Sequence, residues 1–169
     1  MPPTKRKRLL RKPDKAEDHF QNPLEARKKA MDYLARREYG QQELQRKLVT
    51  AGFDADISVS AVDLLVVDGL QDDRRFAEAF ARSRFNQGKG PTRIHGDLGQ
   101  RGVSSSLVDE VLDEMSVDWF ELAIEVRVKK FGSVQPADFK EKARQMRFLQ
   151  YRGFEQSHIQ AALKGVGSN

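Results

Sequence analysis

Apolar residues along this chain recur at intervals of three and four, the spacing of one face of an α-helix. No stretch alternates apolar and polar residues with the period of two that a half-buried strand shows. The pattern therefore predicts helices and no strands. Three long amphipathic segments carry it, and the residues that we expect to face inward are Leu24, Ala30, Met31 and Leu34 in the first, Phe76, Ala77 and Phe80 in the second, and Phe120, Ile124, Val128 and Phe131 in the third.

A second pattern is a repeat of about 50 residues. Three segments align on a glycine and end at Phe53, Val103 and Phe154; they read L-Q-R-K-L-V-T-A-G-F, I-H-G-D-L-G-Q-R-G-V and Q-M-R-F-L-Q-Y-R-G-F. A glycine at this place can adopt the left-handed conformation that ends a helix, and the apolar side chain after it can pack back onto the last turn. Each repeat therefore contains a long helix, a short helix, a tight turn and a third helix.

Helix-starting residues support this division. Pro23 and Pro91 suit the first turn of a helix. Asp54 and Ser104 stand where the third helix of a repeat needs an N-cap, whereas Glu155 is a poorer cap at the equivalent place. In the first two repeats, the residue after the Gly-apolar turn therefore predicts where the third helix begins.

These patterns predict an all-α fold of three tandem three-helix repeats, about nine helices stacked into an elongated, curved array. Stacking is expected because helical units of this size bury their apolar faces against their neighbours. The boundaries that we expect are a basic disordered tail over 1–22, repeats over 23–68, 69–116 and 117–165, and a flexible C-terminus over 166–169.

The net charge of +5 comes from the N-terminal tail. Residues 1–15 hold seven lysines and arginines against one acid, so the remaining residues have 23 basic and 24 acidic groups. A block of like charges among prolines is typical of disorder and of contact with polyanions. Two hypotheses stay open for this tail: a contact with nucleic acid through Lys5, Arg6, Lys7 and Arg8, or a solvating segment without a specific partner.

Several kinds of chemistry are excluded or disfavoured. The chain has no cysteine, which excludes disulfides, thiol catalysis and cysteine-ligated zinc. Its three histidines form no metal motif, and the segment 88–90 lacks the arrangement of a phosphate-binding loop. Asp72 and Asp73 open a helix, where carboxylates cap free N–H groups, and we prefer this to a metal or acid–base site. We therefore expect no enzyme activity, no cofactor and no metal, and a cytoplasmic protein without a membrane segment.

Four motifs, in order and at matching separations, resemble the RecX family of bacterial regulators of the RecA recombinase. They are A-x-x-Y-L-A-R-R-E with E-L-x-x-K-L-x-x-x-G-F over 30–53, D-D-x-R-F-A-x-x-F over 72–80, G-x-G-P-x-R-I-x-x-x-L-x-x-x-G-V over 88–103, and R-F-L-x-Y-R-G-F over 147–154. The resemblance spans about residues 26–164. One departure is Gly40, where the family often has Ser or Thr; losing that capping hydroxyl is expected to cost up to about 1 kcal/mol.

The resemblance implies a protein that binds in the groove of the RecA–single-stranded-DNA filament and limits filament growth, ATP hydrolysis and strand exchange. The expected partners are thus the RecA filament and single- or double-stranded DNA, and we expect a monomer. The alternative is a nucleic-acid-binding protein that acts through its basic tail and its arginine-bearing helices. Most surface arginines only keep a protein soluble, but we single out as candidate contacts Arg82, Arg84, Lys89, Arg93, Arg101, Arg144, Arg147 and Arg152, with Tyr39 and Tyr151 as candidate exposed aromatics.

Overall fold

The computed structural model describes residues 15–164, which form ten α-helices and no strand. The predicted all-α class and the three three-helix repeats are confirmed. One further helix, α1, precedes the repeats. The helices are α1 Lys15–Phe20, α2 Pro23–Leu34, α3 Gln41–Thr50, α4 Ala55–Val67, α5 Asp73–Asn86, α6 Pro91–Gln100, α7 Ser105–Glu114, α8 Trp119–Phe131, α9 Phe139–Tyr151 and α10 Gln156–Lys164.

The repeat glycines end the second helix of each repeat in the predicted way. Gly52, Gly102 and Gly153 have φ values of +109°, +81° and +94°. The N–H of the residue after each glycine donates to the carbonyl of the leucine five positions earlier, over 3.1–3.2 Å. This is the hydrogen bond of a Schellman motif. The apolar side chain that follows each glycine is buried, as expected.

Each repeat encloses a separate apolar core. The cores of the second and third repeats meet at Trp119, which packs against both, and at Phe85, whose ring lies 5.5 Å from that indole. Helix α8 therefore contacts the rest of the protein on two sides. The inward face of α5 is as predicted, since Phe76, Ala77 and Phe80 are buried; the leucine of each aligned segment is buried too.

The predicted inward face of α8 is half right. Ile124 packs against the core of the third repeat and Phe131 is partly buried, but Phe120 is 46% exposed and Val128 also faces solvent. The buried residues are instead Leu122, Ala123, Val126 and Arg127. This helix carries apolar residues on almost every side, so the periodicity alone does not select a face. In α2, Ala30 is buried as predicted and Leu34 packs against the first core, but Leu24 and Met31, also predicted to face inward, are 74% and 44% exposed.

The second and third repeats join through the ends of their helices. The N–H groups of Gly90 and Thr92, at the start of α6, donate to the carbonyls of Arg152 and Gly153 over 2.8 and 3.0 Å. These carbonyls lie at the end of α9. The backbone N–H groups that have no partner at the start of α6 therefore pair with the carbonyl groups that have no partner at the end of α9. The second and third repeats thus contact each other through backbone atoms, and a side chain at Gly90 would push these atoms apart.

The first and second repeats join through side chains instead. Asp73 accepts from the backbone N–H of Gln41 over 2.8 Å, and Gln71 donates to the carbonyl of Tyr39 over 3.0 Å. The prediction that both aspartates cap α5 is therefore half right. Asp72 caps it, by accepting from two backbone N–H groups, while Asp73 bridges the two repeats.

Helix α1 corrects the expectation of disorder for the end of the tail, residues 15–22; residues 1–14 lie outside the described part of the chain. The ring of Phe20 meets that of Phe53 edge-on at 5.5 Å, and the Phe20 carbonyl accepts from the N–H of Asp54 over 3.2 Å. A Cβ on Gly52 would come within 2.7 Å of the Phe20 ring. The equivalent glycines, Gly102 and Gly153, face the repeat that precedes them. Helix α1 therefore covers the first repeat where a preceding repeat would otherwise pack.

We expect Phe20→Ala to lower the free energy of unfolding by about 1–2 kcal/mol, because it uncovers Phe53 and removes an aromatic contact. Urea denaturation of the full chain measures this. Phe139→Ala is the matched control: that ring is 85% exposed, so the change should stay within about 0.5 kcal/mol. Equal midpoints for the two variants would show that α1 does not stabilise the first repeat.

Candidate functional site

The structure brings six of the predicted contact residues together around the second and third repeats. We call them the junction cluster: Arg84, Lys89, Arg93, Arg101, Tyr151 and Arg152. The predicted tail contacts, Lys5, Arg6, Lys7 and Arg8, lie outside the described residues. The cluster is formed by two grooves, one on each side of the second repeat, and by the turn that links α5 to α6.

The first groove lies between the first and second repeats and has a volume of about 390 Å³. Its floor includes Phe80, and two guanidinium groups lie over that ring. The Arg84 group is 4.3 Å from the ring centroid and the Arg101 group is 4.6 Å away. Both distances are within the range of cation–π attraction. Arg101 also donates from Nη1 to the carbonyl of Asp97 over 3.1 Å, which holds its side chain in place.

The second groove lies between the second and third repeats and has a volume of about 420 Å³. Arg152 lines it, with its guanidinium group 5.3 Å from the centroid of Phe148. Its Nη1 donates to the carbonyl of Gln87 over 2.9 Å. Arg152 thus takes the place that Arg101 takes in the first groove: each precedes a repeat glycine, packs on an aromatic ring and bonds to a carbonyl. One carboxylate, that of Glu125, also lines this groove.

Lys89 occupies the turn between α5 and α6, after Gly88, whose φ is +76°. Partial burial lowers the pKa of Lys89, and the positive charges of Arg152, Arg93 and Arg84 lower it further. A lowered lysine pKa means that its neighbours disfavour the ammonium form. At this turn, the candidate contact Lys89 therefore presents its cation among other cations.

Arg93 and Tyr151 complete the cluster. The Arg93 guanidinium group lies 5.1 Å from the centroid of the Tyr151 ring, and its Nη1 donates to the Tyr151 carbonyl over 3.2 Å. The Tyr151 side chain is 74% exposed, as predicted. Arg93 has one distant carboxylate partner, Asp97, at 3.9 Å. This corner of the cluster thus offers an open aromatic face beside a cation.

Three predicted contacts lie apart from the cluster. Arg82 lines a separate surface of mixed charge with Glu78 and Glu114. Arg144 pairs with Glu141 at 3.4 Å, and Arg147 is exposed on α9. The structure brings none of the three into contact with the grooves.

Tyr39, predicted to be an exposed aromatic, is buried, and this expectation is wrong. The Arg37 guanidinium group covers its ring at 3.6 Å from the centroid, and Tyr33 packs beside it. Arg37 also lines the first groove, although the sequence analysis did not single it out. The sequence feature that could have indicated Arg37 is its position, shortly after the end of α2 and two residues before Tyr39. Lys129 and Lys130, in the last turn of α8, were likewise missed and line the second groove.

Within the part of the chain that is described, no helix is both long and apolar enough to cross a bilayer. The same residues contain no group of three or more side chains placed to share a metal ion.

Comparisons with known proteins match this arrangement of three repeats. Models of the first, second and third three-helix domains of RecX match residues 26–65, 72–112 and 116–163. The regulatory protein RecX of Halorhodospira halophila is 45% identical over 133 residues, which are 79% of this chain and 83% of that protein. The regulatory protein RecX of Pseudomonas entomophila is 43% identical over 143 residues, 85% of this chain and 92% of its own.

Solved structures agree on the fold. A crystal structure of a regulatory protein RecX superposes with a TM-score of 0.73 at 21% identity and covers 84% of this chain and 73% of its own. RecX from Lactobacillus salivarius superposes with a TM-score of 0.69 at 18% identity, with 87% of this chain and 96% of its own covered. Because all three domain models match in order and close relatives cover most of the chain, this protein belongs to the RecX family of regulatory proteins.

Proposed function

We propose that this protein is a negative modulator of the RecA recombinase, which binds the groove of the RecA–single-stranded-DNA filament and limits filament growth, ATP hydrolysis and strand exchange. The observation that carries the proposal is the match of all three repeats, in order, to the RecX domains. The named relatives are regulatory proteins, and they match over most of their own length.

The arrangement of charge supports a filament as the partner. Arg101 and Arg152 occupy equivalent positions in two successive grooves, so the same contact is offered twice along the array. A filament presents its own groups repeatedly along an axis, and a repeat protein can match that periodicity with successive repeats. Arginine is suited to such contacts because its planar group can bind a carboxylate or a phosphate through two parallel hydrogen bonds.

The test is the steady-state ATPase of RecA on single-stranded DNA, with this protein added at ratios from substoichiometric to equimolar. We expect the rate to fall severalfold below an equimolar ratio, because a filament modulator blocks many subunits from few binding sites. An unchanged rate at equimolar protein, with no binding to preformed filaments, would contradict the proposal.

The alternative is a nucleic-acid-binding protein that acts mainly through its basic tail. A chain beginning at Lys15 separates the two functions, because it lacks the preceding lysines and arginines but keeps Phe20 on Gly52. A filament modulator should keep most of its effect on the RecA ATPase after this truncation. A tail-driven binder should lose its affinity together with the steep salt dependence that tail charges produce. A chain beginning at Pro23 would not separate the two functions, because it loses α1 as well as the basic tail, and a loss of activity could then come from a less stable first repeat.

A further inference from the structure

The junction cluster is continuous across the second repeat. Arg84 belongs to the first groove through its contact with Phe80, and its carbonyl accepts from the N–H of Lys89 over 3.0 Å. Lys89 in turn lies among Arg152 and Arg93 of the next junction. We propose that this cluster binds the sugar–phosphate backbone of one single-stranded nucleic acid laid across both junctions. The inference deepens the proposed function by naming DNA as a direct contact, but it can fail or hold without RecA.

The first argument is charge that the protein leaves unneutralised. Within residues 15–164, no ion pair involves Arg84, Lys89, Arg101 or Arg152, and Arg93 has only the distant Asp97. Three other arginines, Arg27, Arg37 and Arg74, each bind a carboxylate within 3.0 Å, whereas the cations of the cluster lie beside one another. Like charges held together without partners are disfavoured, and a bound polyanion relieves that repulsion.

The second argument is that the arginines are already held in position. Arg93, Arg101 and Arg152 each use one Nη1 donor on a backbone carbonyl, over 2.9–3.2 Å. A guanidinium group has five N–H donors, so most remain for a ligand. Because the side chains are held before a ligand arrives, less conformational entropy is lost on binding.

The third argument distinguishes a nucleic acid from a protein partner. Specific protein interfaces have an apolar centre, but no large apolar side chain is exposed between residues 71 and 119, a segment that is described in full. Interfaces with nucleic acid are more polar and more positively charged than those with proteins. The chemistry of the second repeat therefore suits phosphates better than an acidic protein surface.

The fourth argument distinguishes a single strand from a duplex. Tyr151 exposes its ring at the edge of the cluster, beside the Arg93 guanidinium group. Unpaired bases stack on exposed aromatic rings, whereas bases inside a duplex are already stacked on one another. Sites that bind single-stranded nucleic acid usually combine cations along the sugar–phosphate backbone with an aromatic ring on which a base stacks.

The test measures binding of the full-length protein to a fluorescein-labelled oligothymidylate by fluorescence anisotropy, without RecA, over a range of salt concentrations. We expect Arg84→Gln, Lys89→Gln and Arg152→Gln each to weaken binding about 3–10-fold and to reduce the salt slope by about 0.7, the value for one phosphate on a single strand. Tyr151→Ser should weaken binding about fivefold or more. The lowered pKa of Lys89 predicts that Lys89→Gln leaves the melting temperature unchanged or raised.

Arg82→Gln is the matched control, because Arg82 lies on the same helix as Arg84 and carries the same charge but faces Glu78 and Glu114. Arg82→Gln should change the affinity for the oligothymidylate less than twofold. Arg84→Lys, which keeps the positive charge, should retain more affinity than Arg84→Gln. Equal losses for Arg82→Gln and Arg84→Gln would reduce the effect to bulk charge and overturn the proposal. A duplex bound as tightly as the oligothymidylate, with no effect of Tyr151→Ser, would overturn the single-strand assignment. None of these outcomes depends on the RecA ATPase, so the two proposals are tested separately.

Discussion

Replacing Gly153 with alanine is expected to lower the free energy of unfolding by about 2–4 kcal/mol, the largest effect of a glycine-to-alanine change among residues 15–164. Two causes combine at this position. The residue has a φ of +94°, a conformation that a side chain rarely adopts. An added Cβ would also lie 2.2 Å from the Cβ of Arg93 and 2.6 Å from its backbone nitrogen, so the second repeat would have to move away from the third.

Three other glycines separate these two causes. Gly69→Ala tests conformation alone, because its φ is +72° with no atom near the added Cβ. Gly90→Ala tests crowding alone, because its φ is −81° but its Cβ would lie 2.4 Å from the carbonyl carbon of Gly153. Gly96→Ala tests neither: it lies within a helix with open space around it, and alanine should stabilise it by about 0.5–1 kcal/mol.

Urea denaturation of the four variants measures these differences. We expect Gly153→Ala to be the least stable, Gly69→Ala and Gly90→Ala to be intermediate, and Gly96→Ala to exceed the unsubstituted protein. If Gly90→Ala were as stable as Gly96→Ala, the close backbone contact between the second and third repeats would not exist in solution.

The second large effect is expected at Arg127, which is 1% exposed in the core of the third repeat. Its Nε donates to Oε1 of Gln145 over 2.9 Å, and its Nη2 donates to the carbonyl of Val134 over 2.7 Å. These bonds tie α8 to α9 and to the segment between them. Arg127→Ala would leave a cavity and an unpaired buried amide oxygen, so we expect a loss of about 2–4 kcal/mol in the free energy of unfolding.

Two variants locate the origin of that loss. Arg127→Met refills most of the space and removes a charge that no carboxylate of the described residues pairs with, so it should recover at least half of the stability. Arg147→Ala removes an exposed arginine nearby and should stay within about 0.5 kcal/mol of the unsubstituted protein. A destabilisation by Arg127→Ala no greater than that of Arg147→Ala would show that the buried network contributes nothing to the fold.

Gly40 illustrates what can be predicted from neighbouring residues alone. The sequence predicted only the loss of a capping hydroxyl at this position, and the structure indeed shows an N-cap without a side-chain hydrogen bond. A Cβ there would also lie 3.0 Å from the ring of Phe76, in the next repeat. The glycine therefore leaves room for that contact, and no pattern within its own repeat indicated so. The equivalent residue, Gly90, leaves room in the same way for Gly153 and Phe154.

The candidate site was only half predictable for a related reason. Arg101, Arg152 and Tyr151 were all among the candidates, and the two arginines can be recognised in the sequence because each stands directly before a repeat glycine. The periodicity gave no ground for separating Arg84 from Arg82, although one lies over Phe80 and the other beside Glu78 and Glu114. The arginine in V-R-V-K-K, Arg127, resembles its exposed neighbours in sequence but is buried.

The sequence by itself determined the features that depend on residues within a few positions of one another. These are the absence of strands over the described residues, the three-fold repeat, the left-handed turn at each repeat glycine and the caps at Asp54 and Ser104. The tertiary structure decided which face of α8 is buried, where α1 packs and which cations share a surface. Those features depend on contacts between residues far apart along the chain, such as Phe20 with Phe53 and Arg127 with Gln145, and local conformational preferences carry no information about such contacts.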